Sequence, residues 1–441
     1  MPQAAPGSTT SSAARGEPGP TVHDLIGVGF GPANLALAIA LAEGPGSREG
    51  LSARFVERQP HFGWHRGMLL DDATMQISYL KDLVTLRNPT SRFSFLSYLH
   101  ERDRLPDFIN YGSPYPTRRE FHDYLEWAAA PFAEQVDYGC EVQRIEPVPD
   151  DPGLLDVHVR EVGGRSTGYR ARNVVLATGL VPQLPPGVVP GERVWHSSEL
   201  LTRIDSLPDP TRVIVIGAGQ SAAEVVDHLH RRFADAEVCA IFARYGYSPA
   251  DDSAFANRVF DPAAVDDFYG AAPEVKNMIM GYHANTNYSV VDQELIESLY
   301  RRHYQEKVSG RERLRFRNVS RVTDAVELDG RVELAVESML DGSREVLTAD
   351  LVVHATGYRS ADPLQLLGAA AGHCRRDELD RLVLHRDYRV DTAPELAAGL
   401  YVQGATEHSH GLSSTLLSTA AVRAGDIAAS VLATTRELSR R

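Results

Sequence analysis

The sequence predicts an α/β protein built from two doubly wound, Rossmann-like domains that meet at a shared site, and three observations carry that reading. The stretches LIGVGFGPANLALA (Leu25 to Ala38) and VIVIGAGQSAAE (Val213 to Glu224) each pass from an apolar strand through a glycine turn into a helix start. Two more apolar strands, VVLATG (Val174 to Gly179) and LVVHATGY (Leu351 to Tyr358), both stop at Ala-Thr-Gly. The length of 441 residues leaves room for two or three domains, and 43% hydrophobic residues suffice for sizeable cores.

The first twenty residues are small, polar and rich in Pro, Gly and Ser, too poor in apolar groups to offset the entropy of ordering; a disordered tail over 1–20 is expected. Val22 to Val28 then reads as a buried strand. Gly27, Gly29 and Gly31 allow tight backbone, and Leu35 to Leu41 has helical apolar spacing. A helix N-terminus offers unpaired amides and partial positive charge, so this turn suits a pyrophosphate, and glycines let the backbone approach it. Pro32 stands where a third glycine is expected, and it is harmless at the first helical position, where its missing N–H would be free anyway. The next strand, Leu51 to Val56, ends at Glu57, placed to accept hydrogen bonds from a ribose.

The second turn carries Gly217, Gly219 and Ala222, with the helix beginning near Gln220. Its following strand, Glu237 to Phe242, ends without an acid. Arg244 just beyond it is either the cation that meets a 2′-phosphate, favouring NADPH over NADH, or a solvated surface arginine. Two cradles therefore imply two nucleotides, FAD in the first and NADPH in the second. The expected organisation is a discontinuous FAD domain over 21–205 and 345–441, enclosing an NADPH domain over 206–344 whose segment 250–292 reaches the substrate.

Charge and cysteines exclude other classes. A net charge of -14 repels phosphate backbones and anionic lipid, so no nucleic acid or membrane partner is expected. No apolar stretch of about 18 residues could span a bilayer. Cys140, Cys239 and Cys374 form no CxxC pair, which removes dithiol reductases and fits a reducing cytoplasm. No metal-ligand set is assigned.

The residues beyond the cradles are distinctive. They are FGWHRGMLLDDATMQISYLKDLVTLRNPTSRFSFLSYL (Phe62 to Leu99), DDSAFANRVFDPAAVDDFY (Asp251 to Tyr269), NTNYSVVD (Asn285 to Asp292) and EHSHGLSSTLLSTAAVRAGDI (Glu407 to Ile427). Together these blocks closely resemble the microbial flavin-dependent N-hydroxylating monooxygenases, above all the L-ornithine N(5)-monooxygenases, with lysine N(6)-hydroxylases as relatives. The resemblance runs from about Thr21 to Ile427, and a proline in the FAD turn is expected of it.

The resemblance implies that NADPH reduces FAD, that O2 adds at the flavin C4a position, and that the hydroperoxide passes its distal oxygen to the side-chain amine of ornithine. The product is N5-hydroxy-L-ornithine, for siderophore or related hydroxamate synthesis. It implies Lys81 on the substrate carboxylate, Asn257 near the reacting amine, Asn287 on the amino-acid backbone and Ser413 as a further contact. On the flavin side it implies Trp64, His65, Gln76, Val142, Gly179 and Leu412. For NADPH it implies Arg118, Gln220 and Ser221, and it implies a homo-oligomer, often a tetramer. Ser414 departs from the pattern, since relatives often carry Asp there. The chemistry asks for a free lone pair on an amine whose pKa is about 10.4, a cost of roughly 3 kcal/mol near pH 8. Burial with amide and apolar partners, and few carboxylates, lowers that cost. Two other readings stand beside this one: a multisubstrate flavin monooxygenase of the carbonyl- or sulfide-oxidising kind, and a flavoprotein sensor without turnover. The set Lys81, Asn257 and Asn287 favours the N-hydroxylase.

Overall fold

A computed structural model describes residues 21–283 and 289–440 of the chain. The expected disordered tail (1–20) and Asn287 lie outside the described residues.

The first unit opens with β1 (Leu25–Val28), α1 (Pro32–Glu43) and β2 (Ala53–Glu57), and after α2 (Arg118–Ala129) adds β3 (Val136–Tyr138). A meander of β4 (Cys140–Val148), β5 (Asp151–Glu161) and β6 (Ser166–Ala171) then leads into β7 (Asn173–Leu176). The second unit repeats the plan. It comprises β8 (Val194–His196), β9 (Arg212–Ile216), α3 (Gln220–Arg232), β10 (Glu237–Ile241), α4 (Gln293–Ser309) and β11 (Leu314–Arg317). A second meander, β12 (Ser320–Leu328), β13 (Arg331–Ser338) and β14 (Arg344–Ala349), leads into β15 (Leu351–His354). The chain returns to the first unit with β16 (Gly399–Val402) and α5 (Ala420–Leu438).

Both main sheets are parallel and share one layout. The first runs β16-β7-β1-β2-β3 and the second β8-β15-β9-β10-β11. In each, the cradle strand is central, flanked by the strand after its helix on one side and by the Ala-Thr-Gly strand on the other. Covered on both faces, these strands read as unbroken apolar runs, and β1, β7 and β15 are buried at every residue. Helix α1 is buried from Asn34 to Leu41 because it packs between the first sheet and α5.

The glycine turns are equivalent in space. Gly29 has φ 83°, and a Cβ there would lie 2.5 Å from the Ala177 carbonyl oxygen; Gly217 has φ 141°, and its Cβ would lie 2.3 Å from Ala355 O. Each cradle thus presses against the Ala-Thr-Gly turn beside it, which explains why both strands end alike. Pairing Gly29 with Gly217 corrects two expectations. Gly27 belongs to the strand, where the Phe55 ring fills the space of a Cβ at 2.3 Å, and the third fingerprint position of the first turn is Asn34 rather than Pro32. Pro32 is the first residue of α1, as its missing N–H requires.

Two boundaries also move. The stretch Val22 to Val28 divides at Asp24, since Val22–His23 pairs with β6 and only Leu25–Val28 enters the sheet. The second sheet takes β8 and β15 from outside 206–344, so the strands of that unit extend from 194 to 354. No helix among the described residues is long and apolar enough to cross a membrane.

Candidate active site

Helices α1 and α3 both begin at a glycine N-cap, Gly31 and Gly219, and neither receives a side-chain cap. By contrast, Thr117 caps α2 through its hydroxyl, which accepts from Glu120 N. Uncapped first-turn amides on helices of 12 and 13 residues are vacant donors at positive dipole ends, the feature that receives an anion. A Cβ at Gly31 would meet nothing within 4 Å, so the first turn faces open space. Both turns open on one cavity of about 1800 Å³. Pockets for single drug-sized ligands run to about 1,000 Å³, so this one has room for more than one large ligand.

On the first side the wall includes Gly29, Gly31, Pro32, Glu57, Val142 and Gly179. Glu57 is buried and oriented by two amides, Oε2 accepting from Phe30 N (2.6 Å) and Oε1 from Gln59 N (2.8 Å). A carboxylate accepts about four hydrogen bonds, so lone pairs remain. Asn34 ties the turn, donating to Gly29 O (2.7 Å) while its own Oδ1 accepts from Gln403 Nε2 (3.0 Å). Neither Asn34 nor Gln403 was legible as a site residue, and their only signal is position in α1 and after β16.

Between the cradles stand Trp64, His65 and Gln76. His65 takes a left-handed conformation (φ 50°), uncommon outside glycine and a form of strain found at functional sites. Its ring meets Trp64 edge-on at 4.7 Å and Tyr358 at 5.8 Å. Its outer edge is open to the cavity, yet burial on its other sides, with Arg118 nearby, pulls the imidazole down to about 4, so it is neutral at pH 7.

On the second side Gly217, Gly219, Gln220, Ser221 and Arg244 line the wall. Several of these polar groups are already engaged. Arg118 also lines the cavity; it pairs bidentately with Glu224 of α3 (2.8 and 2.9 Å) and donates to Met68 O (3.0 Å), which engages part of its guanidinium. Gln220 donates to Glu224 (3.0 Å) and Asp292 (2.6 Å), and Gln76 donates to Asp292 from the opposite side (3.2 Å). Burial, with the charge of Glu224, raises the Asp292 carboxyl above its usual range. This chain of five side chains joins the first unit to α3, and removing one member of its buried ion pair would cost about 3–5 kcal/mol. Glu224 and Asp292 are additions to the site; both fall inside stretches already singled out, QSAAE and NTNYSVVD. Arg244 lines the second cradle while donating to Ser289 O (2.9 Å).

Lys81 and Asn257 both line the cavity. Lys81 Nζ lies 5.9 Å from the ring of Phe260, in the same 3₁₀ turn as Asn257, and among the described residues no carboxylate pairs with it. Asn257 Nδ2 donates to Ser253 O (3.3 Å). The expectation of a wall with few carboxylates needs correction, because Asp251 and Asp252 also line the cavity, exposed, a few residues from Asn257.

Two positions near the C-terminus are corrected as well. Ser413 and Leu412 are buried and do not line the cavity; the 3₁₀ turn Leu412–Thr415 directs Ser414 to the wall instead. Among the described residues one group of possible metal ligands clusters, His122, Asp123 and Glu126, away from the cavity wall, and there Arg66 pairs with Glu126 (3.5 Å).

Comparison with known proteins sets this geometry in context. The family model described as L-lysine 6-monooxygenase/L-ornithine 5-monooxygenase matches residues 21–360. The L-ornithine N(5)-monooxygenase of Burkholderia cepacia is 44% identical over 402 residues, covering 89% of this chain and 90% of the relative. The solved ornithine N-hydroxylase of Kutzneria sp. 744, described with reduced FAD, NADP+ and L-ornithine, is 48% identical, with a TM-score of 0.91 over 94% of this chain and 99% of that one. The solved L-lysine 6-monooxygenase of Pseudomonas syringae is 32% identical, with a TM-score of 0.81 over 93% and 99%.

Proposed function

The chain belongs to the L-lysine 6-monooxygenase/L-ornithine 5-monooxygenase family, and from that premise we propose that it is an NADPH- and FAD-dependent monooxygenase that hydroxylates the side-chain amine of L-ornithine. One observation carries the reading: two uncapped glycine cradles open on a single cavity beside a lysine that lacks a carboxylate partner. Similarity favours ornithine over lysine, 48% identity to the Kutzneria enzyme against 32% to the Pseudomonas syringae enzyme.

The amides at Gly31 and Gly219 would hold the two pyrophosphates, Glu57 the flavin-side ribose and Arg244 the 2′-phosphate. Bound flavin, reduced by NADPH, supplies one oxygen atom of O2 to the amine. Lys81 offers its ammonium to the substrate carboxylate, which fixes the amino acid by one end. Asn257, and Asn287 with it, donate and accept without bringing charge. The amine must shed a proton whose removal costs roughly 3 kcal/mol near pH 8, and the two carboxylates on this wall, Asp251 and Asp252, are exposed, where solvent weakens their hold on an ammonium. His65, neutral at that pH, brings no charge of its own to this part of the cavity. The Arg118–Glu224 pair positions α3, and so the second cradle, against the first unit.

A homo-oligomer fits the exposed apolar stripes Val275, Met278 and Tyr282 on helix Pro273–His283 and Tyr300, Tyr304 and Val308 on α4. A reducing cytoplasm fits three unpaired cysteines. The deciding experiment is hydroxylamine product formation by purified protein with NADPH and, in turn, L-ornithine, L-lysine and a shorter diamino acid. Ornithine should give an N–O bond with coupled NADPH use. Hydrogen peroxide alone, with every amine, would overturn the reading.

A further inference from the structure

Arg423, on the first turn of α5, is 4% exposed and lines the cavity. Its hydrogen bonds all end on neutral oxygens. Nε donates to Gln403 Oε1 (3.4 Å), Nη1 to the carbonyls of Ser413 (3.3 Å) and Ser414 (2.9 Å), and Nη2 to Leu416 O (3.5 Å). Among the described residues no carboxylate pairs with it, and burial pulls the guanidinium below its usual range. A buried charge without a counter-charge is costly, so such a cation calls for a compensating group supplied from outside the chain.

Two independent features surround it. The hydroxyls of Ser414 and Ser418, 1% and 2% exposed, line the same wall and have no hydrogen-bond partner. Helix α5, 19 residues long, begins here at Thr419 with no side-chain cap. The locus adjoins the first cradle, since Gln403 donates to Asn34 and Asn34 to the Gly29 carbonyl.

We propose that Arg423, the Ser414 and Ser418 hydroxyls and the N-terminus of α5 form an electrostatic seat for the negative charge that the flavin ring gains on reduction. This rests on the reading that the first cradle holds FAD. A pyrophosphate or a substrate carboxylate is a permanent anion and would take guanidinium N–H groups as direct ligands. Here those groups are committed to protein oxygens, so Arg423 acts through its field, while the two free hydroxyls turn to donate when charge arrives. A group whose charge comes and goes with the redox state suits that arrangement. Ser414 makes the seat more positive than a carboxylate at that position would.

The test compares purified holoenzymes carrying Ser414→Asp, Ser414→Ala, Arg423→Lys and Arg423→Gln. The readouts are the flavin midpoint potential by dye-coupled reductive titration, the affinity for oxidised FAD and the KM for ornithine. Ser414→Asp should shift the potential to more negative values, Ser414→Ala should shift it less in the same direction, and Arg423→Lys should keep it at the parent value. Affinity for oxidised FAD should be unchanged. Arg423→Gln should shift it furthest; should that variant fail to fold, Ser414→Asp still decides, because the guanidinium stays in place. An unmoved potential in Ser414→Asp overturns the proposal. So does an equal weakening of oxidised and reduced FAD, which would assign the charge to the pyrophosphate, and so does a raised ornithine KM at unmoved potential. Parent protein that binds no flavin would overturn the FAD reading instead.

Discussion

Gly217→Ala and Gly29→Ala test the two cradles separately. At Gly217 the backbone sits at φ 141°, and an added Cβ would fall 2.3 Å from Ala355 O, about 1 Å inside ordinary contact. The left-handed half of conformational space costs an L-residue about 1–2 kcal/mol. Overpacking a rigid neighbour adds about 1–3 kcal/mol, and the neighbour here is the backbone of Ala355, the residue directly after the parallel strand β15, which cannot swing aside as a side chain would. The sum, about 2–5 kcal/mol, can be relieved by moving the turn away from β15, which carries the first-turn amides of α3 off their target. Weaker nucleotide binding by about 30-fold to several thousand-fold follows. Anaerobic stopped-flow reduction should show this in the dependence on NADPH concentration, while flavin content and visible spectrum stay at parent values. Gly29→Ala, whose Cβ would meet Ala177 O at 2.5 Å, should do the reverse and yield protein depleted of flavin. If Gly217→Ala loses FAD first, or binds NADPH within about threefold of the parent, the assignment of the cradles is wrong.

Other outcomes are equally specific. Lys81→Ala should raise the ornithine KM by about 30- to 150-fold, the loss of a charge-assisted contact worth about 2–3 kcal/mol, with flavin reduction by NADPH near normal; an unchanged ornithine dependence would remove Lys81 from the site. Arg244→Ala should impair NADPH about tenfold or more beyond NADH, and because Arg244 also holds Ser289 O, a smaller loss common to both is expected. Equal losses would refute a 2′-phosphate contact. Acid sensitivity follows from His354 and His410, both essentially inaccessible and both pushed by burial down to about 4 from the ordinary 6.5. Between those values the unfolded chain binds protons that the folded protein refuses. Stability from each group is therefore complete above pH 6.5 and is lost as pH falls toward 4, by on the order of 3 kcal/mol per group. Replacing His354, whose ring nitrogens lack partners, with Phe should flatten part of that acid limb in denaturant melts across pH 4–7; a parallel curve would show that His354 does not drive it.

What could be read from the chain, and what could not, divides by the range of the interaction responsible. The strand, turn and helix of each cradle follow from apolar runs and glycine sterics within about a dozen residues, and those elements lie where the pattern puts them. The role of an individual glycine was less legible. Gly27 and Gly29 look alike in sequence, and only the approach of Phe55 to one and Ala177 to the other separates strand from turn. The edges of the second unit escaped for the same reason, because β8 and β15 are too short to declare their sheet and are assigned by the neighbours they find. Charge is the extreme case. Arg118 and Glu224 are 106 residues apart and carry nothing in their local patterns that names the partner. A guanidinium expected at a nucleotide also fixes, through Glu224, the helix that presents the nucleotide's amides. Ser413 and Ser414 differ by one step along a 3₁₀ turn, and that step decides which faces the cavity. Motif reasoning therefore finds the stretch that matters, while the residue within it is chosen by packing that only the folded chain supplies.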